Sequence, residues 1–239
     1  MERLQKVIAQ SGFCSRRRAE DLIINGEVIV NGKVVSKLGT KVSGNDEIVI
    51  QGIKISREDS EYYLLNKPRG IVSTTDDEFK RENVCNLIET KARIYPVGRL
   101  DYDTTGLIIL TNDGELTNIL SHPSSEVPKT YLAKIKGILR MEDLSKLKKG
   151  IKIDNVKVKV AGVKVKKRDI AKNTSMIELT ISEGRNHIVK RIFESLNYDV
   201  IKLTRTEYAF LDLGSLKSGE YRVLNPKEVK KLYNLKSNQ

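Results

Sequence analysis

The sequence predicts an α+β protein, in which a small N-terminal α/β domain precedes a larger domain with a mixed, largely antiparallel sheet flanked by helices. Two observations predict this class. Residues 1–56 carry two short helical patterns followed by strand patterns, and beyond residue 62 strand patterns outnumber helical ones. The polar stretch 57–61 reads as a linker, so we predict domains at 1–58 and 59–239, with a frayed tail from Lys236 onward.

The small domain is predicted to begin with two helices. Leu4 and Ile8 share a face at helical spacing, and Ser15 is a candidate N-cap for the second helix. Asn31-Gly32 then separates two valine-rich stretches, which is a strong signal of a β-hairpin. A further strand is expected at 47–50. These elements together predict a compact unit of two helices and a few strands.

The larger domain is predicted from the period of its apolar residues. Strands are expected at 62–65, 107–110, 130–135, 156–165, 176–181, 200–203 and 208–213, and helices at 115–120, 141–148 and 187–196. Many strands with few helices favour an antiparallel arrangement over a doubly wound parallel sheet.

The charge of the chain indicates its class of partner. Lysine and arginine number 43 against 31 aspartates and glutamates, which gives a net charge of +12 and favours nucleic acid as partner. No apolar run approaches the roughly 18 residues of a membrane-spanning helix. The charged N-terminus does not resemble a secretory signal, so we expect a cytoplasmic protein with no membrane partner. Cys14 and Cys85 lack metal-ligand spacing; we expect packing residues and no metal.

The most informative segment is Val97–Glu115, VGRLDYDTTGLIILTNDGE. Arg99 and Asp101 stand on a loop before an apolar strand, which Gly106 precedes and an Asn-Asp-Gly turn follows. Charges beside a buried strand are costly unless they are paired or used. Arg99 and Asp101 are therefore candidate site residues.

This segment resembles the signature of the RsuA/RluB family of pseudouridine synthases, as does the turn Asn66-Lys67-Pro68-Arg69-Gly70. The resemblance implies conversion of uridine to pseudouridine in ribosomal RNA, without a metal or organic cofactor. It also implies that Asp101 is the essential catalytic carboxylate, acting beside the sugar and the base. A covalent bond to the carboxylate and proton abstraction by it both stay open.

The N-terminal helices and hairpin resemble the S4 RNA-binding domain. Arg16, Arg17 and Arg18 begin the second helix, where the helix dipole disfavours cations. This conflict points to an external anion such as an RNA phosphate; the alternative is a solvated basic turn. The alternating valines and lysines that begin segment 156–168 similarly predict either an exposed sheet edge or an RNA contact.

The segment 183–191, EGRNHIVKR, matches a late basic motif of the same family. The resemblance implies that Lys190 is the cation that partners Asp101, and the alternative is that Lys190 and Arg191 only solvate a helix. His187 is unusual for the family at this place. We expect it to be structural or to bind phosphate.

Residues around the target base follow from the resemblance as well. Tyr131, in Lys-Thr-Tyr-Leu-Ala, is implied to stack on the flipped uracil, the alternative being ordinary packing in a strand. Leu203 is implied to line the pocket, and Arg99 to fill the gap left by the flipped base or to hold a phosphate. We also expect RNA contacts from Lys67, Arg185 and Arg191.

Two other classes of protein compete with this interpretation. Asp101 and Asp103 could serve a glycoside hydrolase, but a neutral sugar would leave the charge of +12 unexplained, so Asp103 is predicted to be a loop residue. A non-catalytic RNA-binding or ribosome-assembly module would tolerate Asp101→Asn. For the enzyme we expect a monomer acting on ribosomal RNA, free or in a pre-ribosomal particle. The large-subunit 23S RNA is favoured over 16S RNA, and a transfer RNA stays open.

Overall fold

The computed structural model of the protein describes residues 1–236, so the tail predicted to fray lies, apart from Lys236, outside the described residues. The chain forms two compact units, which are described separately. The first holds residues 1–61, 90–94 and 112–114; the second holds 62–89, 95–111 and the chain from residue 115 onward. The boundary predicted at 58/59 stays a prediction.

The first unit contains two helices and six short strands. These are β1 Glu2–Arg3, α1 Leu4–Gln10, α2 Arg16–Ile24, β2 Val28–Val30, β3 Lys33–Val34, β4 Lys41–Val42, β5 Ile48–Ile50 and β6 Ile53–Lys54. The predicted cap is confirmed, because the Ser15 hydroxyl accepts a hydrogen bond from the Arg18 amide at 3.2 Å. The predicted hairpin joins β2 and β3, and its turn residues Asn31 and Gly32 both have positive φ.

The core of the first unit comes from the apolar faces of both helices and from the sheet. Leu4, Ile8, Leu22, Ile23 and Ile50 are all at most 1% exposed. The strands β3, β2, β5 and β6 pair in that order as an antiparallel sheet. Burial of these apolar side chains leaves the polar face of α2, with its arginines, in solvent.

The described residues of the second unit form a sheet of nine strands with four helices. The strands are β7 Tyr62–Lys67, β8 Tyr95–Pro96, β9 Thr105–Thr111, β10 Lys129–Lys136, β13 Val160–Asp169, β14 Thr174–Ile181, β15 Val200–Tyr208, β16 Leu211–Asp212 and β17 Tyr221–Val223. A separate hairpin pairs β11 Ile151–Ile153 with β12 Val156–Val158. The helices are α3 Gly114–Ser121, α4 Met141–Lys149, α5 Ile188–Glu194 and α6 Pro226–Tyr233, and short 3-10 turns lie at Val84–Leu87, Pro123–Ser125 and Asn234–Lys236.

The strand order in the sheet is β13-β14-β10-β15-β9-β7-β17, with β16 beside β15 and β8 beside β9. Strands β15 and β9 pair in parallel, and the other pairs among the described strands of this sheet are antiparallel. The predicted α+β class with a mixed, largely antiparallel sheet flanked by helices is confirmed.

The parallel pair β9–β15 requires a glycine. A Cβ built on Gly106 would lie 2.2 Å from the Arg205 carbonyl oxygen, and the Gly106 φ is 107°. Gly106, predicted to precede the strand, lies inside β9, because the strand extends from Thr105 to Thr111. The close approach of these two backbones joins the strand after the Asp101 loop to the strand that carries Leu203.

Three strand predictions were wrong in their bounds. The single strand predicted at 156–165 is two strands, β12 and β13, which belong to different sheets. The patterns at 200–203 and 208–213 belong to a longer β15 and the short β16, because β15 runs on through Tyr208 to pair with β10. Polar Thr204, Arg205 and Thr206 interrupt the apolar pattern inside β15, and this interruption hid its length.

One core cluster of the second unit lies between the sheet and two helices. Leu107 and Ile109 of β9 pack with Leu116 and Leu120 of α3 and with Leu232 of α6. This burial fixes β9, and therefore the end of the loop that precedes it. Within the described residues no helix is long and apolar enough to cross a membrane.

Candidate active site

Asp101 lies on the loop that connects β8 to β9. The loop is held at one end by Val97, which is fully buried and donates its amide to the Ile109 carbonyl at 2.8 Å. At the other end the Thr104 amide donates to the Asp101 carbonyl at 3.0 Å, which closes a tight turn. The Asp101 side chain itself stays 27% exposed, so its carboxylate is accessible while its backbone is fixed.

Lys67 stabilises this turn through hydrogen bonds to its backbone. Its side chain is fully buried, and its ammonium donates to the carbonyls of Pro68, Asp101 and Thr104 at 3.1, 3.1 and 2.9 Å. Burial lowers the pKa of Lys67 to about 8, against the opposing attraction of Asp101 and Asp103. The prediction that Lys67 contacts RNA was wrong, because a cation with no exposed surface cannot reach a phosphate. Lys67 instead fixes the backbone under Asp101.

Lys190 stands beside two carboxylates. Its Nζ lies 3.0 Å from Asp101 Oδ2 and 2.7 Å from Asp103 Oδ1. Burial alone would lower the pKa of Lys190, but hydrogen bonds to Asp103 and Asp101 outweigh burial and raise it. The same hydrogen bond from Lys190 lowers the pKa of Asp103. Asp103 lies in the loop, as predicted, and it shares the cation of Asp101.

Lys190 is placed by the helix α5. Four apolar side chains of α5 are buried: Ile188, Val189, Ile192 and Phe193. Lys190 lies on the remaining face, with its side chain 26% exposed. The apolar period of this helix therefore determines the direction of the cation.

His187 is a site residue that the sequence analysis did not place beside Asp101. It precedes α5 in the left-handed region with φ of 52°, and its Nε2 lies 3.3 Å from Asp101 Oδ1. Histidine is among the residues that adopt such a φ more often than most non-glycine residues. The signal in the sequence was its position three residues before Lys190, at the start of the same helix.

A cavity of about 1090 Å³ opens beside the Asp101 carboxylate. Tyr131 and Leu203 line it from neighbouring strands β10 and β15 and are 8% and 5% exposed. Arg99 also lines the cavity, and its side chain is exposed. The structure thus brings five of the predicted site residues to one cavity: Asp101, Arg99, Tyr131, Leu203 and Arg185.

Two of the arginines predicted to contact RNA are engaged within the protein. Arg185 forms an ion pair with Glu183 and donates to the Ile153 carbonyl, and Arg191 forms an ion pair with Asp154. Both keep about a third of their side-chain surface exposed, so they stay predictions as RNA contacts. Arg185 lines the cavity. In the first unit Arg16, Arg17 and Arg18 are all exposed on the first turn of α2.

A second cationic group lines the cavity and was not predicted. Arg205 is 2% exposed, and Lys129 is partly buried. Both lie against the ring of Tyr208, at 5.0 and 5.3 Å from its centroid. Arg205 falls within the polar interruption of β15, which the strand pattern did not assign to any element. Among the described residues no group of three or more His, Cys, Asp or Glu side chains is placed to hold a metal ion.

A basic chain whose carboxylate–lysine pair stands beside a cavity lined by a tyrosine and a leucine has the features of an RNA-modifying enzyme. Residues 61–195 match the family of RNA pseudouridylate synthases, and residues 2–48 match the S4 domain family. The chain belongs to the RNA pseudouridylate synthase family. It is therefore an isomerase that converts uridine in RNA to pseudouridine, and the glycoside hydrolase alternative is set aside.

Similar proteins agree with this assignment. The chain is 53% identical to the "Ribosomal large subunit pseudouridine synthase B" of Bacillus subtilis, over 97% of this chain and 96% of the relative. It is 38% identical to an RNA pseudouridine synthase of Aquifex aeolicus, over 97% and 93%. A crystal structure of a pseudouridylate synthase matches with a TM-score of 0.67 and 31% identity, over 97% of this chain and 100% of that one. The predicted family and fold are confirmed.

Proposed function

We propose that this protein isomerises a specific uridine of large-subunit 23S ribosomal RNA. The observation that carries the proposal is the likeness to the Bacillus subtilis large-subunit enzyme, which covers both the S4 region and the catalytic unit at 53% identity. The net charge of +12 supports a large RNA substrate, since phosphate contacts dominate affinity for nucleic acid.

Asp101 is the catalytic residue of this proposal. The N1–C1′ bond of the target uridine breaks with its electron pair on the base, the base turns, a C5–C1′ bond forms, and the proton that C5 loses is balanced by one that N1 takes up. A carboxylate at the sugar assists the first step, either by bonding to C1′ or by taking a proton from the sugar. The ammonium of Lys190, 3.0 Å away, holds this carboxylate in place and balances its charge.

The cavity receives the base after it leaves the RNA stack. Tyr131 offers the flat face of its ring for stacking, and Leu203, on the neighbouring strand, closes an apolar side. Arg99 is exposed at the cavity, where it fills the gap left in the RNA or holds a phosphate. These roles require no cofactor.

The first unit brings the RNA to the enzyme. Arg16, Arg17 and Arg18 begin a helix that Ser15 caps, so helix amides and guanidinium groups can bind one phosphate together. The protein acts as a monomer in the cytoplasm, on ribosomal RNA that is either free or within a pre-ribosomal particle.

The test is a map of pseudouridine in the RNA of cells with and without this protein. We expect one 23S pseudouridine to be lost on deletion, restored by the wild-type gene and not by Asp101→Asn. The purified Asp101→Asn variant should still bind the same RNA, as a control for folding. Loss of a site in 16S or transfer RNA instead would overturn the choice of substrate. An unchanged map, or full rescue by Asp101→Asn, would overturn the catalytic proposal.

A further inference from the structure

Arg205 lines the cavity, and one of its guanidinium nitrogens has no hydrogen-bond partner among the described residues. Its Nε donates to the Leu107 carbonyl at 2.7 Å, but its Nη2 is buried without a hydrogen-bond partner among the described residues. An N–H group of a buried guanidinium without an acceptor is costly. Such a group in a pocket is explained if a ligand supplies the acceptor.

Lys129 adds a second positive charge at the same place. Its Nζ donates to the Val127 carbonyl at 3.0 Å and lies over the Tyr208 ring. Burial, and then the nearby charge of Arg205, lower the pKa of Lys129 to about 8. The cavity wall therefore holds two cations that disfavour each other, and electron-rich ligand atoms would relieve that cost.

The register of the sheet places this group beside the base platform. Arg205 on β15 lies directly opposite Tyr131 on β10, and Leu203 is two residues before Arg205 on the same strand. Residues two apart on a strand share a face, so Arg205 continues the surface formed by Tyr131 and Leu203. A uracil stacked on Tyr131 would therefore have Arg205 at its edge.

The depth of this group favours the base over the phosphate as its ligand. Arg205 and Tyr208 are 2% and 1% exposed, whereas Arg99 is exposed on the same cavity. The RNA backbone continues on both sides of the flipped nucleotide and has to stay outside. The base is the part of the nucleotide that can enter deeply.

We propose that Arg205 Nη2 donates a hydrogen bond to a carbonyl oxygen of the flipped uracil, and that Lys129 strengthens this site as a second positive charge. The inference rests on the proposed function. When the N1–C1′ bond breaks, its electron pair stays with the uracil and spreads to O2 and O4. A fixed cationic donor at one of these oxygens stabilises the detached base until the C5–C1′ bond takes up those electrons.

The experiment measures single-turnover rates on an RNA fragment that carries the target uridine. The target is uridine, 2-thiouridine or 4-thiouridine, because sulfur is a weaker hydrogen-bond acceptor than oxygen. Wild type is compared with Arg205→Gln and Arg205→Lys. Arg222→Gln is the matched control, since Arg222 also lies in this sheet but pairs with Glu228. Melting temperatures are recorded for each variant.

We expect Arg205→Gln to slow the reaction of uridine on the order of 100-fold. We further compare the ratio of the uridine rate to the rate of each thio-analogue. For one of the two analogues this ratio should differ about tenfold between wild type and Arg205→Gln. Replacing the oxygen by sulfur weakens a hydrogen bond that wild type makes and Arg205→Gln does not. Arg205→Lys keeps the charge, so its rate on uridine should lie between those of wild type and Arg205→Gln. Arg222→Gln should leave the rates and ratios unchanged.

Three outcomes would overturn the inference. Arg205→Gln could slow all three RNAs by one common factor, which would indicate a structural role. Arg222→Gln could change the rate ratios between uridine and the thio-analogues as much as Arg205→Gln does. Arg205→Gln could also weaken binding of an RNA that lacks the target base, which would point to a phosphate ligand. Inactivity of wild type on the uridine RNA would instead contradict the proposed function, so the two failures are distinguishable.

Discussion

The ammonium of Lys67 donates to the backbone carbonyl of Asp101 at 3.1 Å, from a position with no exposed surface. The two residues lie 34 positions apart in the chain, at the end of β7 and in the loop before β9. The same ammonium also reaches Thr104, so it fixes both ends of the turn that presents Asp101. The position of the carboxylate that we propose as catalytic therefore depends on a buried charge with no exposed surface.

Replacing Lys67 should destabilise the second unit. In Lys67→Met the carbonyls of Pro68 and Thr104 lose the Lys67 donor and that of Asp101 keeps only the Thr104 amide, and each unsatisfied group costs about 1–3 kcal/mol. We expect a total loss of about 3 kcal/mol or more, and a melting temperature lower by about 6–12 °C. Lys227→Met, at an exposed lysine of α6, is the control and should melt like wild type. Equal melting temperatures for Lys67→Met and wild type would contradict the structural role.

The stability contributed by Lys67 should also depend on pH. Burial lowers its folded-state pKa to about 8, while an unfolded lysine titrates near 10.5. Between these two pKa values the unfolded chain binds more protons than the folded one. The free energy of unfolding that Lys67 contributes therefore increases as pH rises. The advantage of wild type over Lys67→Met in chemical denaturation should grow by up to about 3 kcal/mol from pH 8 to pH 10.5. A constant or shrinking difference would show that the pKa is not lowered.

Lys190 should matter for rate more than for folding. In Lys190→Met the carboxylates of Asp101 and Asp103 face each other without their shared cation. We expect single-turnover pseudouridylation to fall on the order of 100-fold, with a melting temperature close to that of wild type. Lys190→Arg keeps the charge and should recover part of the rate. The idea fails if Lys190→Met retains the wild-type rate.

Asp103 should be far less important than Asp101, although both contact the same ammonium. The Asp103 side chain is 49% exposed, and such pairs contribute about 0–1 kcal/mol. Asp103→Asn leaves the contact between Lys190 and Asp101 intact, so its rate should fall by less than about fivefold. Asp101→Asn, measured in the same assay, should show no product. A loss in Asp103→Asn as large as in Asp101→Asn would mean that both carboxylates act in the reaction.

The fold class was predictable from the sequence because it depends on local patterns, and the candidate site residues were predictable from short motifs that resemble a known family. The apolar period of α5 and the turn signals around Asp101 are readable in a few neighbouring residues. Lys67, His187 and Arg205 have roles that depend on contacts made far along the chain. Arg205, for example, meets Leu107 across 98 residues, and only the pairing of β15 with β9 brings them together. A basic residue in a basic protein gives no local sign that it is buried.

The arginines at the start of α2 should bind RNA through its phosphates. The slope of log affinity against log salt falls by about 0.7–0.9 for each phosphate that the protein no longer neutralises. The triple variant Arg16→Gln, Arg17→Gln, Arg18→Gln should therefore bind ribosomal RNA more weakly, with a slope smaller by about 2–3. All three side chains are exposed, so the fold should be unaffected.

The matched control for these arginines removes three other exposed cations from the same unit, with Lys33, Lys37 and Lys41 changed to glutamine. Both triple variants lose the same charge, so a general attraction to RNA would weaken equally in the two. A specific phosphate site at α2 predicts a larger decrease of affinity and of salt dependence for the arginine variant alone. Titrations of both variants at several salt concentrations decide between these cases, and equal decreases would leave the first turn of α2 as an ordinary solvated basic surface.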